Sequence, residues 1–507
     1  MNAKKITTCL ILSLLFITQA FAQHPSKREF RGTWIHTVGN RDYQKMTTDE
    51  MKQHYIDLLD RFEAAGINAV IFQIRPQADA LYITELEPWS RFITGTQGQA
   101  PNPLWDPLEF MIEECHNRGM ELHAWLNPYR VTSNDTEELS KDHLYYKKPH
   151  LFVKYGKQIY FDPGQPESRE HTVKVIADVV SRYDIDAVHF DDYFYPYKVK
   201  HEEFPDEESF LKYHKAAGFG RYEKNDWRRN NVNILVQELG DTIKKIKPWV
   251  KFGISPFGVW RNKSADPTGS DSNAGQTNYD DLFADIKLWV EKGWIDYNVP
   301  QLYWQIGHPL ADYTPLIKWW SENNFGEHLY IGQDVMRTIN VAPEGSKDER
   351  GVSQLAEKMR MVREDPNIHG NVWWSGYGLS KNPYGMIDSL ASSYQRYPAL
   401  IPQYARIDTT PPAPVKNLSG KKNKGEVRLT WKAEATDSEM DKAVYFCVYR
   451  FEPGEPINLD DATKLLKVVR NPSYTIPNQT GNKKFKYVVT ALDRLQNEST
   501  ASYPVVL

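Results

Sequence analysis

Cysteine is scarce, with 3 in 507 residues, and Cys9 lies in what reads as a leader. The other two, Cys115 and Cys447, fall in different predicted domains, so no disulfide scaffold organises the chain. Both are expected to be buried and reduced. A charge of one sign is also missing. Lys and Arg number 62 against 66 Asp and Glu, a formal charge of −4. Such a balance gives no whole-molecule pull toward nucleic acid or an anionic membrane. Past the first 25 residues no apolar run reaches roughly 18 residues, so no membrane span is expected. HExxH, paired Cys motifs and calcium loops are absent, as are a P-loop, a GxSxG elbow and a basic–aromatic stripe. No metal, cofactor or nucleic-acid partner is therefore expected.

Aromatic side chains are plentiful: 15 Trp, 29 Tyr and 21 Phe. Flat rings at that density build either a large core or surfaces that stack on sugars. The N-terminus has a basic start at Lys4 and Lys5, an apolar run from Leu10 to Ile17, and Ala20-Phe21-Ala22. This is the pattern of a secretory signal over residues 1–22, cleaved after Ala22. It predicts an exported protein, periplasmic or extracellular.

From residue 29 to about 396, short β-like runs alternate with amphipathic helical ones. The strand candidates are Phe30–Val38, Ala69–Arg75, Glu121–Pro128, Ala187–Tyr193, Lys251–Val259, Tyr297–Trp304, Leu329–Val335 and Gly370–Ser375. Eight strands, each followed by a helix, predict an α/β fold, a (β/α)8 TIM barrel over residues 27–405. An open doubly wound sheet is less suited, because no Gly-rich turn follows the first strand. Helix-to-strand links are tight, while the long segments all follow strands, so one end of the barrel carries the elaborated loops. A Pro-rich linker follows at Asp408-Thr-Thr-Pro-Pro-Ala-Pro. Residues 412–507 then show short strands resembling a fibronectin type III module, an all-β sandwich with Trp431 in its core and Tyr487 in the late tyrosine position.

The sharpest local signal is Asp186-Ala-Val-His-Phe-Asp191-Asp192-Tyr193. Alternation sends Val188 and Phe190 to one side, and His189 and Asp191 to the other. Asp191 and Asp192 then sit at the strand's C-terminal tip. Adjacent carboxylates repel, so one can stay protonated beside an ionised partner. The same pair could instead hold a metal or cap the loop. Other tips carry polar or aromatic groups: Gln73 and Arg75; His123, Trp125 and Asn127; Gln301 and Tyr303; Asp334; Trp373 and Trp374. Together they suggest a sugar pocket, with Glu87 reaching over the mouth as a further carboxylic acid.

Several of these segments resemble bacterial family 10-like glycosyl-hydrolase-like proteins. They are Arg31-Gly-Thr-Trp34, Asn68-Ala-Val-Ile-Phe-Gln-Ile-Arg-Pro76, Glu87-Pro-Trp-Ser90, His123-Ala-Trp-Leu-Asn-Pro-Tyr129, His189-Phe-Asp-Asp-Tyr-Phe-Tyr-Pro196 and Pro300-Gln-Leu-Tyr-Trp304. The resemblance implies a secreted glycosidase barrel acting on a carbohydrate polymer, a cell-wall glycan among the choices. It adds His189, Tyr193 and Trp304 to the substrate-binding candidates. Two mechanisms are open. In one, Asp191 resembles the nucleophile of amylase-type barrels acting on an α-glucan, with Glu87 or Asp334 as acid. In the other, Asp191-Asp192 resembles the pair of substrate-assisted hexosaminidases. There one Asp orients a 2-acetamido group and the other protonates the leaving oxygen. A non-catalytic glycan-binding envelope protein is the reading from outside enzymology. Arg75 and Arg130 either meet the lactyl carboxylate of a muramic residue or bridge loop carboxylates.

Overall fold

The barrel strands bury both faces, and the sequence supplies two kinds of side chain for them. In the computed structural model, which describes residues 25–341, 351–423, 425–477 and 483–507, Val70, Phe72, Leu122, Ala124, Val188 and Phe190 face the helices. Phe30, Trp34, Ala69, Ile71, Trp125, Ala187 and Tyr297 fill the interior. This alternation needs helices outside and a closed ring inside. The predicted signal segment lies outside the described residues.

The strands are Phe30–Ile35, Ala69–Arg75, Glu121–Leu126, Ala187–Phe190, Lys251–Ile254, Tyr297–Asn298, the split pair His328–Leu329 and Ile331–Asp334, and Gly370–Trp374. All pair in parallel, in chain order, and the last pairs with the first through Phe30 and Gly370. The split at Tyr330 makes nine segments of eight barrel strands, and a bridge from Gln301 to Gly332 spans the break. Strands five and six are shorter than expected. Pro256 and Pro300 cannot donate to a ladder, so each strand stops before its proline. The helix expected between strands five and six is two short ones, Asn278–Asp281 and Ile286–Glu291. The loop after strand three holds a hairpin, Phe152–Tyr155 with Gln158–Phe161, too short to announce itself by alternation.

The C-terminal residues form a three-stranded antiparallel sheet facing a four-stranded one, the expected sandwich. Trp431 and Tyr487 are both in its core. Cys115 and Cys447 are buried and free, one in each domain. The sandwich also closes the barrel's lower end. Its Leu495 is wholly buried in the barrel-interior cluster, and Gln496 Nε2 donates to Glu121 Oε1 at 3.0 Å. Arg494 pairs with Asp184 at 2.5 Å. Among the described residues, no helix is long and apolar enough to cross a membrane.

Candidate active site

At the opposite end, the tip of strand four carries Asp191 and Asp192, both almost fully buried. Asp191 accepts hydrogen bonds from Trp125 Nε1 at 3.1 Å and Asn127 Nδ2 at 3.0 Å. Burial raises its pKa, and the Arg130 charge with these donors opposes the rise. Asp192 also has two side-chain donors. Tyr197 Oη lies 2.5 Å from Oδ2, and Gln301 Nε2 lies 3.3 Å from Oδ1. Burial, then repulsion from Asp191, pushes its carboxyl up to about 7. Asp192 thus holds its proton more tightly than an ordinary carboxyl, while the N–H donors on Asp191 favour its ionised form.

The pair opens onto a cavity of about 320 Å³ lined by Trp34, Trp125, Tyr193, Tyr303 and Trp374 among others. Tyr303 and Trp374 stack with their rings 6.3 Å apart. Burial, then the nearby carboxylates, raise the Tyr303 pKa, so its hydroxyl stays protonated. Four buried polar atoms on lining residues have no partner in the protein: His36 Nδ1, Gln73 Nε2, Arg130 Nη2 and Ser255 Oγ. Gln73 is fixed in orientation, because its Oε1 accepts from the backbone N–H groups of Thr37 and Val38. Unpaired buried polar atoms are costly, and in a pocket they mark where a ligand's hydroxyls or amides bind. A larger cavity of about 530 Å³ lies beside this one, but its charged groups Lys198, Asp281 and Arg228 are paired within the protein.

The residues match the family described as Glycosyl hydrolase-like 10 over positions 29–349. The chain belongs to this family. It is 44% identical over 502 residues to "Glycosyl hydrolase YngK" of Bacillus subtilis (strain 168), covering 97% of this chain and 96% of that protein. It is 38% identical over 382 residues to "Glycosyl hydrolase DigH" of Escherichia coli (strain K12), covering 70% of this chain and 85% of that one. Among solved structures, the glycoside hydrolase domain of PgaB (BpsB) from Bordetella bronchiseptica aligns with TM-score 0.47 and 9% identity. That alignment covers 73% of this chain and 99% of that domain.

In this glycosyl hydrolase the cavity takes Asp191, Asp192, Trp125, Tyr193, Gln301, Tyr303 and Trp374 from the expected set. Glu87 requires a correction. It does not reach over the mouth but forms a buried fork with Arg75 at 2.7 and 2.5 Å, and His171 Nε2 lies 3.0 Å away. Burial alone would raise its pKa, yet Arg75 and His171 hold it far below the carboxylate range, so it has no proton to give. Arg75 is correspondingly spent. Its other contacts are the carbonyls of Asn127 and Pro128.

Other candidates act from behind the cavity wall. Asn127 orients Asp191. Asp334 accepts from the Arg337 backbone at 2.7 Å, and Trp304 packs against Phe257. His189 and His123 lie under the floor in a chain along the barrel axis. Trp34 Nε1 can only donate, and its partner is His189 Nε2 at 3.2 Å. The imidazole proton is then on Nδ1 and goes to Tyr297 Oη at 3.0 Å. Tyr297 donates to His123 Nδ1 at 2.8 Å, and His123 Nε2 donates to Glu121 at 2.9 Å. Lys251, 2.8 Å from Glu121, balances that carboxylate. Burial, then His123, drives the His189 pKa well down and keeps the ring neutral. Sequence reasoning missed Trp34 and His36 as lining residues, although strand parity with Phe30 marks both as inward. Tyr197 and Ser255 lie in loops, where no periodicity points to them.

Proposed function

We propose that this hydrolase is exported and cuts glycosidic bonds in peptidoglycan glycan strands or a related N-acetylhexosamine polymer, with the substrate's own acetamido group as nucleophile. One observation carries the reading. Among the described residues, the only carboxylates lining the cavity are the adjacent Asp191 and Asp192. A two-sided mechanism needs a carboxyl on each side of the anomeric carbon, and Glu87 is locked elsewhere. Assistance supplies the opposite-side nucleophile from the substrate itself, so one acid and a neighbouring carboxylate that orients the acetamido group suffice.

Asp191, ionised and held by Trp125 and Asn127, orients the 2-acetamido N–H. The acetamido carbonyl oxygen attacks C1 as Asp192 gives its proton to the departing oxygen, leaving a cyclic oxazolinium ion and a free hydroxyl. Asp192, now a carboxylate, takes a proton from water as that water opens the ring. Positioned proton transfer of this kind contributes about 10²–10⁴ in rate. The aromatic wall supplies stacking surface, and the unpaired Gln73 and Ser255 atoms supply hydroxyl contacts.

The test is mass spectrometry of products from peptide-free sacculi treated with wild type and an Asp191→Asn, Asp192→Asn double variant. New N-acetylhexosamine ends should appear only with wild type. Equal turnover of a starch-type polymer or of a substrate without the acetamido group would defeat assistance.

A further inference from the structure

Two arginines near the strand tips have different partners. Arg75 is neutralised by Glu87. Arg130 lines the cavity with its guanidinium over the Tyr193 ring, 5.2 Å from the centroid. Its Nε donates to the Pro76 carbonyl at 3.0 Å, but Nη2 is buried without a partner. Asp191 does not satisfy it: its oxygens accept from Trp125 and Asn127, and no hydrogen bond joins them to Nη2. A guanidinium with a buried, unused N–H at a pocket suits an anionic oxygen, such as that of a carboxylate.

We propose that Arg130 binds a carboxylate carried by the bound sugar, so that the hydrolase selects an acidic amino sugar over a neutral one. This rests on the N-acetylhexosamine reading above and narrows it. Asn127 ties the Arg130 backbone to Asp191. Its Nδ2 donates to Asp191, and its Oδ1 accepts the Arg130 backbone N–H at 2.8 Å. The Arg130 charge also acts on the Asp191 carboxyl, which puts Arg130 on the side where the proposed reading holds the 2-acetamido group. A carboxylate there belongs to a substituent on the neighbouring C3, as in the lactyl ether of a muramic residue. A uronate, with its carboxylate on C5, presents it across the ring.

The experiment compares kcat/KM of the full-length enzyme on four glycans. These are peptide-free wall glycan, the same glycan with its carboxyls reduced to alcohols, a chitin oligosaccharide, and a polymer alternating N-acetylhexosamine with a uronate. Carboxyl reduction should cost wild type about tenfold to a hundredfold, the worth of one hydrogen-bonded charge contact. Arg130→Gln should lose the same factor on native wall glycan and then be indifferent to reduction, with Arg130→Lys in between. The substrate-side change does not depend on how well a variant folds. Wild type that ignores reduction, or losses that multiply in Arg130→Gln, would overturn the role of Arg130 while leaving N-acetylhexosamine hydrolysis intact. Preference for the uronate polymer would overturn the C3 assignment. Failure of wild type on wall glycan and chitin oligosaccharide alike would bring down the substrate reading and this inference with it.

Discussion

Asp192→Asn removes a carboxyl that burial and Asp191 push up to about 7. In the unfolded chain the same carboxyl titrates near 3.9, so the fold binds its proton about three units more tightly. At 1.36 kcal/mol per unit, ionised Asp192 costs the native state about 4 kcal/mol. The sign is definite. Below pH 4 both states are protonated and nothing is lost, stability falls between pH 4 and 7, and above 7 the whole cost is present. Asn carries no such proton. The stability of Asp192→Asn relative to wild type should therefore rise by about 4 kcal/mol from pH 4 to pH 8.5. For a barrel of roughly 380 residues that is about 5 °C in Tm. Altered contacts to Tyr197 and Gln301 add an offset independent of pH, which cancels in the difference. Asp79 and Asp162, also pushed up to about 6 by burial, titrate alike in both proteins. Scanning calorimetry of both proteins across this range reads the slope. A Tm difference that stays flat would mean that Asp192 ionises like a surface carboxylate and is no acid at neutral pH.

The rate profile should be bell-shaped, with kcat/KM falling as pH rises through about 7, the two limbs belonging to the pair. Asp191→Asn, by removing the repulsion, should move the alkaline limb of its residual activity toward acid. Glu87→Gln strands a buried guanidinium and should cost about 3–5 kcal/mol in urea unfolding. The folded variant should keep the wild-type dependence on leaving-group acidity; a selective loss on poor leaving groups would restore Glu87 as the acid. Leu495→Ala should lower barrel stability by about 2–5 kcal/mol with KM unchanged. No change in melting would show that the sandwich is not a structural plug.

The barrel was legible because its signals are local. Val188 against His189 on one strand, short links before strands and long segments after them are properties of neighbouring residues, and they placed Asp191 and Asp192 at the loop-bearing end. The sandwich was legible for the same reason, from turn spacing and Trp431.

Amino-acid order alone therefore determined the two folds and the acidic tip, since each depends on residues a few positions apart. Tertiary structure alone decided which charges are free. Glu87 and His171 are 84 residues apart and Glu121 and Gln496 are 375 apart, and only packing brings such partners within hydrogen-bonding distance. The proton on Asp192 and the unused N–H of Arg130 are likewise results of desolvation, a quantity set by everything that surrounds a side chain and by nothing in its own stretch of sequence.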